Sequence, residues 1–157
     1  MRLKNVPGSR EAIAESDFVV HEPEKIKGSW KTLFESRNPL HIEIGMGKGK
    51  FIYEMARRNP QINYIGIEKY SSVLLRAVQK MEADPLPNLK FIRMDAEEIT
   101  DVFAEGEVDK IYLNTRRGYR RHLDDKLMVV IVDDEVHTRQ TDNLMQLVVT
   151  LFYHAET

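Results

Sequence analysis

Residues 39–50 read PLHIEIGMGKGK, and the reading of this stretch decides the fold. A short apolar strand runs into Gly45-Met46-Gly47-Lys48-Gly49. The chain then continues as KFIYEMARRNP, with Phe51, Ile52, Met55 and Ala56 at helical spacing and Pro60 beyond the helix end. Strand, glycine turn and helix together open an α/β unit. Glycines let the backbone turn tightly and keep Cβ atoms out of a ligand's way. The helix N-terminus adds free N–H donors and partial positive charge.

The pattern repeats downstream. NYIGIE (63–68) is a second strand ending in an acid, and SSVLLRAVQKMEA (71–83) a helix with Val73, Leu74, Ala77, Val78 and Met81 inward. LKFIRMD (89–95) is a third strand, again ending in an acid. EEITDVFAEG (97–106) is a short helix and VDKIYLN (108–114) a fourth strand. Such alternation, with short connections, predicts an α/β fold: an open, mostly parallel sheet with helices on both faces and right-handed crossovers. One further apolar run, KLMVVIV (126–132), precedes a last helical pattern through Leu144, Leu147, Val148, Leu151 and Phe152. Before the sheet, residues 1–38 form an N-terminal arm with short helices. In GSREAIAES, Ser9 is expected to cap, with Ala12 and Ile13 inward. In GSWKTLF, Ser29 caps, with Trp30, Leu33 and Phe34 on one face. Residues 39–157 are read as a single domain.

With 157 residues the chain is long enough for one substantial core, and 42% hydrophobic with 31% charged residues excludes a disordered tail. There is no cysteine, hence no disulfide or thiolate metal site, and the five histidines show no metal spacing. No apolar run approaches the roughly 20 residues of a membrane span, and the N-terminus lacks a secretory h-region. These features suit a cytoplasmic protein. A net charge of −2 gives no global attraction to polyanions. A polyanion site therefore has to come from local clusters: Arg2, Lys4 and Arg10 in the arm, and Arg116, Arg117, Arg120 and Arg121 around Gly118 and Tyr119. Phosphate contact and base stacking are the chemistry such a cluster suits; a solvated charged loop is the alternative.

Open α/β sheets take ligands at the carboxyl ends of their strands, near the point where strand order reverses. A dinucleotide fingerprint needs a third glycine at position 50, which is Lys50. The observed G-x-G-x-G suits the amino-acid end of S-adenosylmethionine better than a pyrophosphate. Glu68, about 20 residues beyond the loop, stands where a carboxylate holds ribose hydroxyls, a feature that a nicotinamide cofactor would share. Asp95 is placed to accept from an adenine amino group. Glu43, inside the first strand, needs a partner if buried, supplied by the loop backbone or a ligand ammonium. The other reading makes these three acids solvated strand-end or capping residues, and the glycine loop a plain turn.

The segments NVPGSREAI, HIEIGMGKGKFI, NYIGIEKYSSVLLRA and EGEVDKIYLN, in this order, resemble the bacterial tRNA (guanine-N7-)-methyltransferases, from about residue 2 to Asn114. The resemblance implies a Rossmann-like class I methyltransferase that moves the methyl of S-adenosylmethionine to N7 of a guanine in the tRNA variable loop. It makes Gly45, Gly47, Gly49, Glu43, Glu68 and Asp95 cofactor residues, and tRNA the partner. After Asn114 the family continues Phe-Ser-Asp-Pro-Trp-Pro, whereas this chain has Thr115-Arg116-Arg117-Gly118-Tyr119-Arg120-Arg121-His122. The tail after residue 114 is thus atypical, and no catalytic residue is assigned. EVHTRQTDN is similar to the family's EIHFKTDN, which makes Thr141, Asp142 and Asn143 substrate contacts beside the four arginines. A catalytically silent S-adenosylmethionine- or RNA-binding protein of the same fold is the alternative function.

Overall fold

The computed structural model describes residues 5–113 and 129–131. Four strands, β1 (Leu40–Ile44), β2 (Asn63–Glu68), β3 (Leu89–Arg93) and β4 (Lys110–Leu113), run parallel, and β5 (Val129–Ile131) pairs antiparallel with β4. The order is β3-β2-β1-β4-β5. The chain therefore moves outward from β1 to β3 and then crosses back to β4. This reversal lies between β1 and β4, beside the end of β1 where the glycine loop begins.

Period-two alternation sends neighbouring side chains of each strand into different cores. Leu40, Ile42, Ile44, Ile65, Ile67, Ile92 and Ile111 share one core with Ile99, Val102 and Phe103. Tyr64, Leu89, Phe91 and Tyr112 share the other with Ile52 and Ala56 of α3 (Lys50–Arg58) and Leu74, Ala77, Val78 and Met81 of α4 (Ser71–Ala83). Helices thus cover both faces, as the sequence pattern implies.

The stretch before β1 is built into both cores. In α1 (Ser9–Ala14), Ile13 is buried against the α3–α4 side. Residues 18–20 then line the outer edge of β3, where Phe91 N–H donates to the Phe18 carbonyl (2.9 Å) and Val20 N–H to the Phe91 carbonyl (2.8 Å). Trp30, first residue of α2 (Trp30–Leu33), is fully buried on the opposite face. Its indole N–H donates to the Val102 carbonyl (2.8 Å) and its ring lies 4.9 Å from Phe103. Two local expectations fail here. Gly8, in the left-handed region at φ 78°, occupies the cap position of α1, and the Ser9 hydroxyl lies instead 3.5 Å from that of Ser72 on α4. Ala12 is exposed, because α1 turns only its Ser9–Ile13 side toward the core.

Ser29 does occupy the cap position of α2, yet its side chain makes no capping bond. A distant carboxylate does that work. Glu107 accepts from Trp30 N–H (2.9 Å), Gly28 N–H (3.0 Å) and Ala104 N–H (2.9 Å), tying the segment before β1 to the one before β4. Glu107 is itself buried, so removing it strands three donors at once. We expect Glu107→Ala to lower the unfolding free energy by about 2–3 kcal/mol in urea titration. A loss within experimental error of zero would show that water replaces the carboxylate there.

Candidate functional site

The loop after β1 is shaped by three left-handed glycines, Gly45 (φ 71°), Gly47 (φ 61°) and Gly49 (φ 76°). Side chains strain this conformation by about 1–2 kcal/mol each, which explains glycine at alternate positions. The N–H groups of Gly45 and Met46 both donate to the Ile67 carbonyl (3.0 and 3.1 Å). The Met46 side chain turns inward and fills the place where a Cβ on Gly66 would stand, with Phe91 and Ile52 alongside. A glycine in the middle of β2 therefore serves as a seat for the loop. At Gly49 a Cβ would come 2.8 Å from the Cβ of Ala77, so this glycine lets α3 and α4 approach. At Gly47 a Cβ would meet nothing within 4 Å. That loop backbone faces open space.

Glu68 sits at the end of β2, buried, with both oxygens engaged by backbone. Oε2 accepts from Gly47 N–H (2.9 Å) and Oε1 from Tyr70 N–H (3.0 Å). A carboxylate offers about four lone-pair directions, so two remain for a ligand. Asp95, just past β3, caps the turn Ala96–Glu98 by accepting from Glu97 N–H (3.2 Å) through Oδ1, and pairs through Oδ2 with Lys69 Nζ (2.8 Å). The sequence thus brings Gly47, Glu68 and Asp95 to one edge of the sheet. Glu43 is fully buried within β1, flanked in register by Gly66 and Tyr112. Arg10 is exposed on α1. Arg2, Lys4, Arg116, Arg117, Arg120, Arg121, Thr141, Asp142 and Asn143 lie outside the described residues.

Two residues of this edge have no site role that the sequence assigns. Met46 and Lys69 contribute through long-range contacts, and the one available signal was Gly66, an isolated glycine inside a strand pattern. Chemically, the edge offers an open glycine backbone, a buried pre-oriented carboxylate and a second carboxylate one strand over. These acceptors suit the ammonium, ribose hydroxyls and adenine amino group of S-adenosylmethionine. The edge offers no third glycine for a pyrophosphate, since Lys50 already begins α3.

Solved structures share this fold. An antibiotic-related methyltransferase matches with a TM-score of 0.50 at 22% identity, over 60% of this chain and 49% of its own. The aminoglycoside resistance methyltransferase NpmB1 matches with a TM-score of 0.50 at 22% identity, over 58% and 46%. The shared fold is the Rossmann-like α/β fold of these methyltransferases. Residues 37–115 match the family described as "Putative methyltransferase". The tRNA (guanine-N(7)-)-methyltransferase of Lachnoclostridium phytofermentans is 65% identical over 114 residues, which are 73% of this chain and 53% of that relative. Those of Bacillus cytotoxicus and Geobacillus sp. are 44% and 46% identical over 91% of this chain, covering 71% and 70% of their own lengths. The chain belongs to the tRNA (guanine-N(7)-)-methyltransferase family. It spans about half the length of the first of these relatives.

The hydrogen bond from Lys69 holds the Asp95 carboxyl below its ordinary value of 3.8, with the Glu97 N–H acting in the same direction and burial opposing. A depressed folded value means that the pair's stabilisation is fully present above the unfolded carboxyl's pKa and is lost as pH falls through the lower folded one. In an NMR titration at low ionic strength, the Asp95 carboxyl should have its midpoint below 3.8. The midpoint should move upward in about 1 M salt, where the Debye length is only about 3 Å. A midpoint at or above 3.8 in low salt would contradict the ion pair.

Proposed function

We propose that this chain transfers the methyl group of S-adenosylmethionine to N7 of a guanine in the variable loop of tRNA. The observation that carries the proposal is the Gly47 N–H bond to Glu68 at 2.9 Å. It joins the glycine loop to the β2 carboxylate and makes one ligand cradle of two separate motifs. Family membership supports the nucleobase and the reaction.

In this reading the loop at Gly45, Gly47 and Gly49 receives the amino-acid end of the methyl donor, and Glu43 is assigned to its ammonium. Glu68 uses its two remaining lone-pair directions for ribose hydroxyls, and Asp95 accepts from the adenine amino group. Bound there, S-adenosylmethionine supplies an electrophilic methyl on a cationic sulfonium. Guanine N7 carries an in-plane lone pair and no proton, so the chain does not need to supply a general base. Its task is alignment and a suitable electrostatic setting, which in favourable cases are worth several powers of ten in rate. Arg116, Arg117, Arg120 and Arg121, with Arg2, Lys4 and Arg10, are assigned to tRNA phosphates. Thr141, Asp142 and Asn143 are assigned to substrate.

Two measurements test this account. Labelled methyl should pass from S-adenosylmethionine to bulk tRNA and appear as 7-methylguanosine on nucleoside analysis. A folded protein that binds the methyl donor but transfers nothing would overturn the assignment and leave a silent binding protein. For the cradle itself, Gly47→Ala puts a methyl into open space at a left-handed position. It should reduce methyl-donor affinity at least tenfold while costing only about 1–2 kcal/mol of stability. Unchanged affinity would remove Gly47 from the site.

A further inference from the structure

Glu68 and Lys69 are consecutive, and they reach in opposite directions along the sheet edge. Glu68, at the last position of β2, takes the N–H of Gly47 beyond β1. Lys69, one residue later and exposed, crosses to Asp95 beyond β3 (Nζ–Oδ2 2.8 Å). Two adjacent residues therefore tie together the ends of three strands. The gap that Lys69 crosses is also closed underneath, by Met94 N–H donating to the Glu68 carbonyl (3.2 Å).

The ion pair adds little to stability. Lys69 is 59% and Asp95 30% exposed, and exposed pairs contribute about 0–1 kcal/mol. Its geometric consequence is larger. With Oδ1 fixed by Glu97 N–H and Oδ2 by Lys69, the Asp95 carboxylate has its plane set from two sides. It stays an ionised, acceptor-only group with one lone-pair direction left on each oxygen. A carboxylate so fixed is ready to accept from an amino group without first losing rotamer freedom.

We infer that Lys69 is a positioning residue for the methyl donor: through its bridge to Asp95 it holds the carboxylate, and the turns after β2 and β3, in the arrangement that receives the adenosine end. The inference rests on the adenosine assignment of Asp95 proposed above. It deepens that assignment by naming the side chain on which Asp95 depends.

The test uses the full chain and S-adenosylmethionine as titrant, with Lys69→Met, Lys69→Arg, Asp95→Ala and the Lys69→Met/Asp95→Ala double variant. Lys69→Met should weaken binding by about three- to fivefold, the scale of one half-exposed charged contact. Thermal midpoint should barely move, and in the methyl-transfer assay KM for the donor should rise while kcat at saturation stays. Lys69→Arg, which keeps a cation in reach of Asp95, should return affinity to within about twofold of the parent chain. The double variant should bind no more weakly than Asp95→Ala alone, because both changes remove one interaction. Parent-like binding by Lys69→Met beside a weakened Asp95→Ala would overturn the role of Lys69 and leave Asp95 in place. Tighter binding by Lys69→Met would overturn it too, since the lysine would then be competing with the donor for the carboxylate. Parent-like binding by Asp95→Ala would instead bring down the underlying adenosine assignment.

Discussion

The hydrogen bond from Gly47 N–H to the buried Glu68 carboxylate is the constraint on which the site depends. Three left-handed glycines in five residues describe a backbone that has many other conformations open to it. Such a loop keeps one shape only if fixed from outside. The fixing comes from β2: its Ile67 carbonyl takes two loop N–H groups, Gly66 leaves room for Met46, and Glu68 takes the third N–H. Bonds to a charged acceptor contribute about 1.5–3 kcal/mol each, enough to select one loop conformer. Because β2 is locked to β1 and β3 through parallel ladders, the loop inherits the rigidity of the sheet.

Glu68 also shows how a candidate site residue can be organised by the protein's own backbone. Both oxygens are held by backbone N–H groups, and the lone pairs left over point where the fold has placed them. Asp95 is prepared in a similar way by one backbone N–H and one lysine. Preorganisation of this kind lowers the ordering cost of binding, which is why positions with no direct ligand contact still matter to affinity.

Much of this was legible in the chain itself. The alternation of strand and helix patterns gave the parallel sheet, and the G-x-G-x-G loop with acids at successive strand ends marked one edge of it. Those signals are local and periodic. What sequence could not show is long-range satisfaction. Glu107 looks like any acid in a polar turn, yet it serves three N–H groups, two of them more than 70 residues away. Trp30 reads as part of an apolar helix face with Leu33 and Phe34, and its ring is fully buried, but nothing local names the carbonyl 72 residues on that its indole finds. Ser9 has the chemistry of a cap, but Gly8 takes the position because the chain must enter α1 through the left-handed region.

The most direct test of the central claim is a backbone amide NMR titration with S-adenosylmethionine. If Gly47 and Glu68 form one cradle, the amides of Gly47, Lys69 and Tyr70 should shift together along a single saturation curve. The amides of Asn63 and Asn88, at the opposite edge of the sheet, should stay in place. Saturable binding that leaves Gly47 and Tyr70 unmoved would contradict the account and put the methyl donor elsewhere on the molecule.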